Sequence, residues 1–241
     1  MPAVKCTSEV VEIKKLTYDV KEISLRLIDP PKVEFIAGQY ISIEVTEMRE
    51  GHARLNNRPY SIVSPPEEND VLKLCVNLVT GGPGSSYLHS LNRGDKVTFL
   101  YPMGYFTIHD EAATSLLFVA TGTGIAPIKS MILHLLQSGS TRPMNLYWGL
   151  RKEEDLYYQE EFASLAEQHP FFKYFITLSR PSPTWQGMRG RVTEHLRQMI
   201  GSIENTEAYL CGNGEMIKEV RTLLIERGIT RKSIHHEKFY N

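Results

Sequence analysis

The chain has 241 residues, 41% of them apolar and 23% charged, with a formal net charge of −1. That length admits one large domain or two modest ones, and near-zero charge gives no electrostatic basis for binding nucleic acid or an anionic membrane. No apolar run approaches the roughly 18 residues of a membrane-spanning helix, and Cys6, Cys75 and Cys211 stand far apart with no ligand-spaced Cys/His cluster, so no metal is expected.

The N-terminal stretch "MPAVKCTSEVVEIKK" lacks the apolar centre of a signal peptide, which sets the expectation of a cytoplasmic protein. In "YISIEV", Ile41, Ile43 and Val45 fall on one face of a strand, with Tyr40, Ser42 and Glu44 on the other. "RPYSIV" (Arg58 to Val63) puts a cation, a proline, an aromatic and a hydroxyl ahead of β-branched residues. It reads either as a strand opened by Pro59 or as a holder of a flat anionic group. In the second reading Arg58 pairs with a phosphate, Tyr60 lies on a ring and Ser61 hydrogen-bonds its edge. "VLKLCVNLV" (Val71 to Val79) alternates as a further strand. "GGPGSSYLHSL" then reads as a turn entering a helix, with Ser85 and Ser86 as its caps and a phosphate seat at its start. Short strands at close spacing, punctuated by Gly, Pro and Asn, predict a small antiparallel barrel over residues 1–111.

From residue 112 to 241 the texture changes. "TSLLFVAT" (Thr114 to Thr121) is a continuous apolar run, as a strand buried on both faces requires. A turn with Gly122 and Gly124 follows, and a helix is predicted from near Pro127. "MNLYWGL", "FKYFITLS" and "EAYLCG" are further apolar runs separated by helix-like stretches, which predicts a parallel sheet with crossover helices. "VATGTGIAP" suits a backbone that approaches a pyrophosphate closely. It departs from GxGxxG, however, because Pro127 stands at the third glycine, and a plain βα turn remains the other reading.

Six segments taken in order carry a resemblance. "FIAGQYISIEV", "RPYS", the GxxSxxL spacing of Gly82, Ser85 and Leu88, "PMGYF", "GTGIAP" and "CGNGEM" resemble the motifs of the ferredoxin–NADP reductase superfamily along nearly the whole chain. The resemblance implies a flavin-binding β-barrel domain (1–111) followed by an NAD(P)H-binding α/β domain (112–241). It implies a flavin phosphate on Arg58, Pro59 and Tyr60 beside the flavin ring, and Ser61 near N5. Gly82, Gly84, Ser85 and Ser86 would hold the flavin phosphates at a helix start. Gly122, Thr123, Gly124 and Pro127 would cradle the pyrophosphate of the nicotinamide nucleotide, with Cys211 and Gly212 beside the nicotinamide. In "IHHEKFYN", Glu237 and Phe239 match the carboxylate and covering ring of related reductases, with Tyr240 as the near alternative and a plain edge strand as the other reading. Ser179 and Arg180, with Arg151, Arg189 and Arg191, would take the 2′-phosphate of NADPH; NADH is the alternative.

The adenine contacts of some relatives fall here on Asn77 and Gly81, so FAD is the expected flavin with FMN as the alternative. No plant-type CxxxxCxxC is present, so electrons are expected to pass to or from a separate carrier such as ferredoxin or flavodoxin. The implied chemistry is hydride transfer between NADPH and flavin N5, with Ser61, Cys211 and Glu237 nearest the reaction. Two other functions compete with it: an NAD(P)H:flavin oxidoreductase that uses diffusible flavin, and a non-catalytic electron-transfer or regulatory subunit.

Overall fold

The computed structural model describes residues 4–49, 52–109, 113–199, 203 and 205–240. The chain divides into two compact units, one of Met1–Thr107 with Lys129–His134, the other of Ile108–Ile128 with Leu135–Asn241. None of the described helices is long and apolar enough to cross a membrane.

The first unit contains β1 (Val4–Lys15), β2 (Val20–Asp29), β3 (Tyr40–Arg49), β4 (His52–Ser61), β5 (Val71–Asn77), helix α1 (Pro83–Ser90) and β6 (Lys96–Met103). The strands pair antiparallel in the order β4-β3-β6-β1-β2-β5. Ile41, Ile43 and Val45 point inward as the alternation requires and join Ile23, Leu72 and Phe99 in one core. Just past β4, Ile62 bridges Leu74 of β5, and the Val63 N–H donates to the Lys73 carbonyl at 2.8 Å. These contacts bring the two edges of the sheet together, and the curled sheet is a half-barrel.

Three local expectations need correction. "RPYS" closes β4 rather than opening a strand; β4 is an edge strand, where the missing N–H of Pro59 breaks no ladder. β5 stops at Asn77 because the Leu78 N–H donates to Asp19 O (2.7 Å) and the Val79 N–H to Ser85 Oγ (3.1 Å), leaving both apolar side chains exposed. Ser85 and Ser86 do not cap α1. The N-cap is Gly82 with no side-chain bond, Pro83 enters the first turn, and Ser85 Oγ instead lies within reach of the Val79 and Gly82 carbonyls (3.3 and 3.0 Å).

The second unit contains β7 (Ser115–Thr121), both ends of α2 (Ile125–Gln137, whose middle, Lys129–His134, groups with the first unit), β8 (Met144–Leu150), α3 (Gln159–Gln168), β9 (Phe172–Leu178), β10 (Met188–Arg189), α4 (Val192–Met199), β11 (Thr206–Asn213), α5 (Gly214–Glu226) and β12 (Ile234–Tyr240). Its sheet is parallel throughout, in the order β10-β9-β8-β7-β11-β12. Leu116 to Ala120 of β7 are buried, as expected of a strand covered on both faces. α2 begins at Ile125, earlier than Pro127, because Gly122–Gly124 form a single 3₁₀ turn that runs directly into it. Pro127 is tolerated in that first turn, where N–H groups have no helical partner.

Candidate functional site

In the first unit the "RPYS" strand end and the Gly-rich turn meet at one glycine. A Cβ on Gly84 would lie 2.5 Å from the Tyr60 hydroxyl oxygen and 2.9 and 3.1 Å from Cγ and Cβ of Arg58. Only hydrogen lets the first turn of α1 close on both side chains. Burial pushes the Tyr60 phenol up to about 12, slightly offset by the Arg58 charge, so at neutral pH it is a neutral O–H. Ser61, one residue on, is buried, while Pro59 is exposed on the edge strand.

Arg58 forms an ion pair with Glu47 of β3 through Nη2, and its Nη1 donates to the Asn57 carbonyl at 3.1 Å. Its side chain is 34% exposed, against 6% for Glu47. A cleft of about 850 Å³ opens beside the pair, lined by Arg58, Glu44, Glu47, Gly81, Ser86 and Tyr87 among others. A guanidinium carries five N–H donors, so the two bonds to Glu47 and Asn57 leave donors for a phosphate. The glycine contact, the cation and the helix start fit the phosphate end of a flavin.

In the second unit the chain runs outward from β7 through β8, β9 and β10, then returns to β11 on the other side of β7. The C-terminal ends of β7 and β11 therefore flank the topological switch point, where open α/β sheets bind ligands. The two predicted motifs meet there. A Cβ on Gly124 would fall 2.4 Å from the Cys211 carbonyl oxygen, and one on Gly212 (φ +127°) would fall 2.3 Å from Thr121 Oγ1. Gly122 has φ +53°, and its carbonyl accepts from the Trp148 indole N–H at 3.0 Å. The Asn213 N–H donates to Thr121 Oγ1 at 2.9 Å, and the Asn213 side chain caps α5 by accepting from the N–H groups of Glu215 and Met216. Thr123 is buried within the turn. This close-packed glycine turn at the head of a helix fits a pyrophosphate.

The edge strand β12 ends at the same place. Glu237 is in register with Cys211, and the Tyr240 hydroxyl lies 3.3 Å from Thr121 O and 3.4 Å from its Oγ1. The Cys211 side chain is wholly buried; that burial, with the negative charge of Glu237, holds its thiol well above the ordinary 9.0. Cys211 is a neutral thiol that shapes the strand end, not a thiolate nucleophile. Phe239 is 37% exposed on β12.

The arginines expected to take the 2′-phosphate differ in their partners. Arg151 and Arg180 are joined through the backbone, with the Arg180 N–H donating to Arg151 O at 2.8 Å, and the Ser179 N–H donates to Leu150 O at 3.0 Å. Arg189 spends its guanidinium on the carbonyls of Pro183 (2.8 Å) and Trp185 (2.5 Å). Arg191 faces Glu219 at 3.8 Å. Glu153 ties the two loops together: its carboxylate accepts from the Ser182 N–H at 2.9 Å and from the Ser182 hydroxyl at 2.5 Å. The Ser182 bonds hold the Glu153 carboxyl below its usual range.

The sequence reading missed Thr121, Asn213, Trp148, Glu153 and Glu47. Asn213 preceding "GEM" carried an N-cap signal. Nothing local marked the others, whose partners are 29 residues away for Glu153 and 92 for Thr121.

A half-barrel followed by a parallel sheet with a glycine turn at its switch point is the two-domain arrangement of an NAD(P)H-dependent flavin oxidoreductase. Residues 7–108 match the oxidoreductase FAD-binding domain and residues 118–222 the oxidoreductase NAD-binding domain. The chain is 34% identical over 239 residues to ferredoxin–NADP reductase B of Sorangium cellulosum (strain So ce56), covering 96% of each chain, and it belongs to the ferredoxin–NADP reductase superfamily. It is also 34% identical over 229 residues to the phenol 2-monooxygenase reductase component DmpP of Pseudomonas sp. (strain CF600), covering 93% of this chain but 63% of that longer one. Among solved structures, Amycolatopsis cytochrome P450 reductase GcoB superposes with a TM-score of 0.88 at 28% identity, over 100% of this chain and 71% of its own.

Proposed function

We propose that this protein moves electrons between NADPH and a separate small carrier such as ferredoxin or flavodoxin through a retained FAD. The observation that carries this reading is the pair of glycine-mediated closures, Gly84 against Arg58 and Tyr60, and Gly212 against Thr121. Each joins two motifs distant in sequence into one anion-binding surface. Arg58 and the start of α1 hold the flavin phosphates, with Gly82 and Ser85 fixing the turn. Tyr60 and Ser61 orient the ring, the phenol of Tyr60 as a neutral hydrogen-bond donor. Gly122, Thr123 and Gly124 seat the nucleotide pyrophosphate, while Cys211, Gly212 and Glu237 shape the wall for the nicotinamide. Arg180 and Ser179, with Arg151, recognise the 2′-phosphate. Arg189 supports them by holding its own turn. The bound flavin supplies the step between two-electron and one-electron chemistry, and the protein supplies binding, orientation and exclusion of water. One feature of the sequence and one of the comparisons support a separate carrier: the 241 residues hold no CxxxxCxxC motif, and they align with 96% of a ferredoxin–NADP reductase.

A second reading, an NAD(P)H reductase of diffusible flavin, is favoured by one observation: the phosphate-binding cation is already shared with Glu47. Purification decides between them. A yellow protein with stoichiometric FAD, oxidising NADPH in preference to NADH, supports the first reading. A colourless protein that needs added flavin for every acceptor overturns it.

A further inference from the structure

We propose that Glu47 limits flavin retention by competing with the flavin phosphate for Arg58; this rests on the reading of Arg58 as a phosphate ligand. The Glu47 side chain is only 6% exposed, and its Oε1 takes a hydrogen bond from Arg58 Nη2. Glu47 and Arg58 line the same cleft, which carries a second carboxylate, Glu44, paired with Lys5 at 3.0 Å. A phosphate drawn to Arg58 thus meets a guanidinium whose charge is already balanced by a desolvated carboxylate. Because Glu47 sits away from bulk water, its repulsion of an incoming phosphate is weakly screened. The phosphate must either displace Glu47 from Nη2 or share the fork with it, and both weaken the grip.

Glu47 is therefore a specificity-determining residue that acts through Arg58. Removing its charge tightens only those flavins that carry phosphate. Neutral riboflavin, which presents the same ring to Tyr60 and Ser61, is indifferent to it.

The test is equilibrium dilution of the flavin-loaded protein, with released flavin read by its fluorescence, for FAD, FMN and riboflavin in turn. Glu47→Gln keeps the shape and a hydrogen-bond acceptor for Nη2 while removing the charge. The expected result is FAD and FMN held at least about tenfold tighter, within the ~1000-fold that a full charge pair about 4 Å apart gives at an effective dielectric of about 20. Riboflavin affinity should not change, and the FAD affinity of the variant should fall more steeply with salt. If Glu47→Gln holds FAD equally or more weakly while riboflavin is unchanged, Glu47 orients Arg58 instead and the proposal is overturned. If wild type retains none of the three flavins, the retained-cofactor reading fails first, a distinct outcome that also removes the proposal. Should Glu47→Gln not fold, Glu47→Asp takes its place: its shorter reach loosens the pair, tighter FAD supports competition, and unchanged or weaker FAD overturns it.

Discussion

Gly212 and Thr121 approach so closely that a Cβ on Gly212 would lie 2.3 Å from Thr121 Oγ1 and 2.7 Å from its carbonyl oxygen. With φ at +127°, the backbone at Gly212 is also one that side chains rarely adopt. The end of β7 and the end of β11 can therefore meet only with glycine at this position. Gly212→Ala is expected to destabilise the protein by about 1–3 kcal/mol from backbone strain alone, and by more once the clash is added. Thr121→Val, which keeps the shape but removes the acceptor for the Asn213 N–H, should cost only about 1 kcal/mol. Thermal or urea unfolding of both variants checks the order; equal costs would show that the approach carries no strain.

Arg58→Ala should loosen FAD. Losing a charge-assisted contact to phosphate costs about 1.5–3 kcal/mol, or ~10–150-fold in affinity. The change also removes one charged partner of the nearly buried Glu47, so stability should fall alongside binding. Measuring FAD and riboflavin on the same variant separates the effects, because only FAD brings phosphate. A variant that retains FAD as wild type does would remove Arg58 from the site.

Much of this site could be read from the sequence because glycine and alternation are local signals. The inward face of β3, the doubly buried β7 and the two Gly-rich turns each announce themselves within ten residues. Meetings between segments could not be read that way. Ser85 looked like a helix cap, yet its hydroxyl serves Val79, and Pro83 had already set the helix start. The arginines after β9 look interchangeable in the sequence, but Arg189 donates to carbonyls in its own turn and Arg191 faces Glu219 on α5. Identity fixes what a side chain is able to bond; the tertiary neighbour fixes what it does bond.

Nucleotide choice gives a third test. Arg180→Ala should raise the KM for NADPH and leave that for NADH nearly unchanged, since only NADPH carries the 2′-phosphate. Equal effects on both would assign Arg180 to the loop or the pyrophosphate. Glu153→Ala should act in the same direction but more weakly, because it frees Ser182 and the loop that holds Arg180.

The thiol of Cys211 sets a pH dependence. Its folded-state value lies well above the unfolded 9.0, so the folded protein keeps the proton that the unfolded chain releases. The corresponding stability is complete below about pH 9 and is lost as pH rises beyond it. The difference in unfolding free energy between wild type and Cys211→Ala should therefore be flat from neutral pH to about 9 and shrink above it. At neutral pH a thiol reagent should leave the native protein unmodified at Cys211 and label it after unfolding. Rapid native labelling at this position would mean that the strand end opens.

The last test separates a retained flavin from a diffusible one and asks what β12 contributes. A protein that grips flavin through Arg58 and the start of α1 should reduce ferricyanide or a ferredoxin with NADPH and no added flavin. A diffusible-flavin reductase should show saturation in added FMN or riboflavin and little activity without it. Tyr240 is expected to affect nucleotide binding in either case, because its hydroxyl sits at Thr121 and 3.0 Å from where a Gly122 Cβ would be. Burial raises the Tyr240 phenol above its ordinary value, so it remains a neutral donor across the working range. Tyr240→Phe removes only that hydrogen bond and should change nucleotide KM by a few-fold, in line with about 0.5–1.5 kcal/mol. Tyr240→Ala uncovers the turn as well and should change it further. If activity needs added flavin for every acceptor and neither Tyr240 variant alters nucleotide KM, the retained-flavin reading gives way to the diffusible one and β12 is only an edge strand.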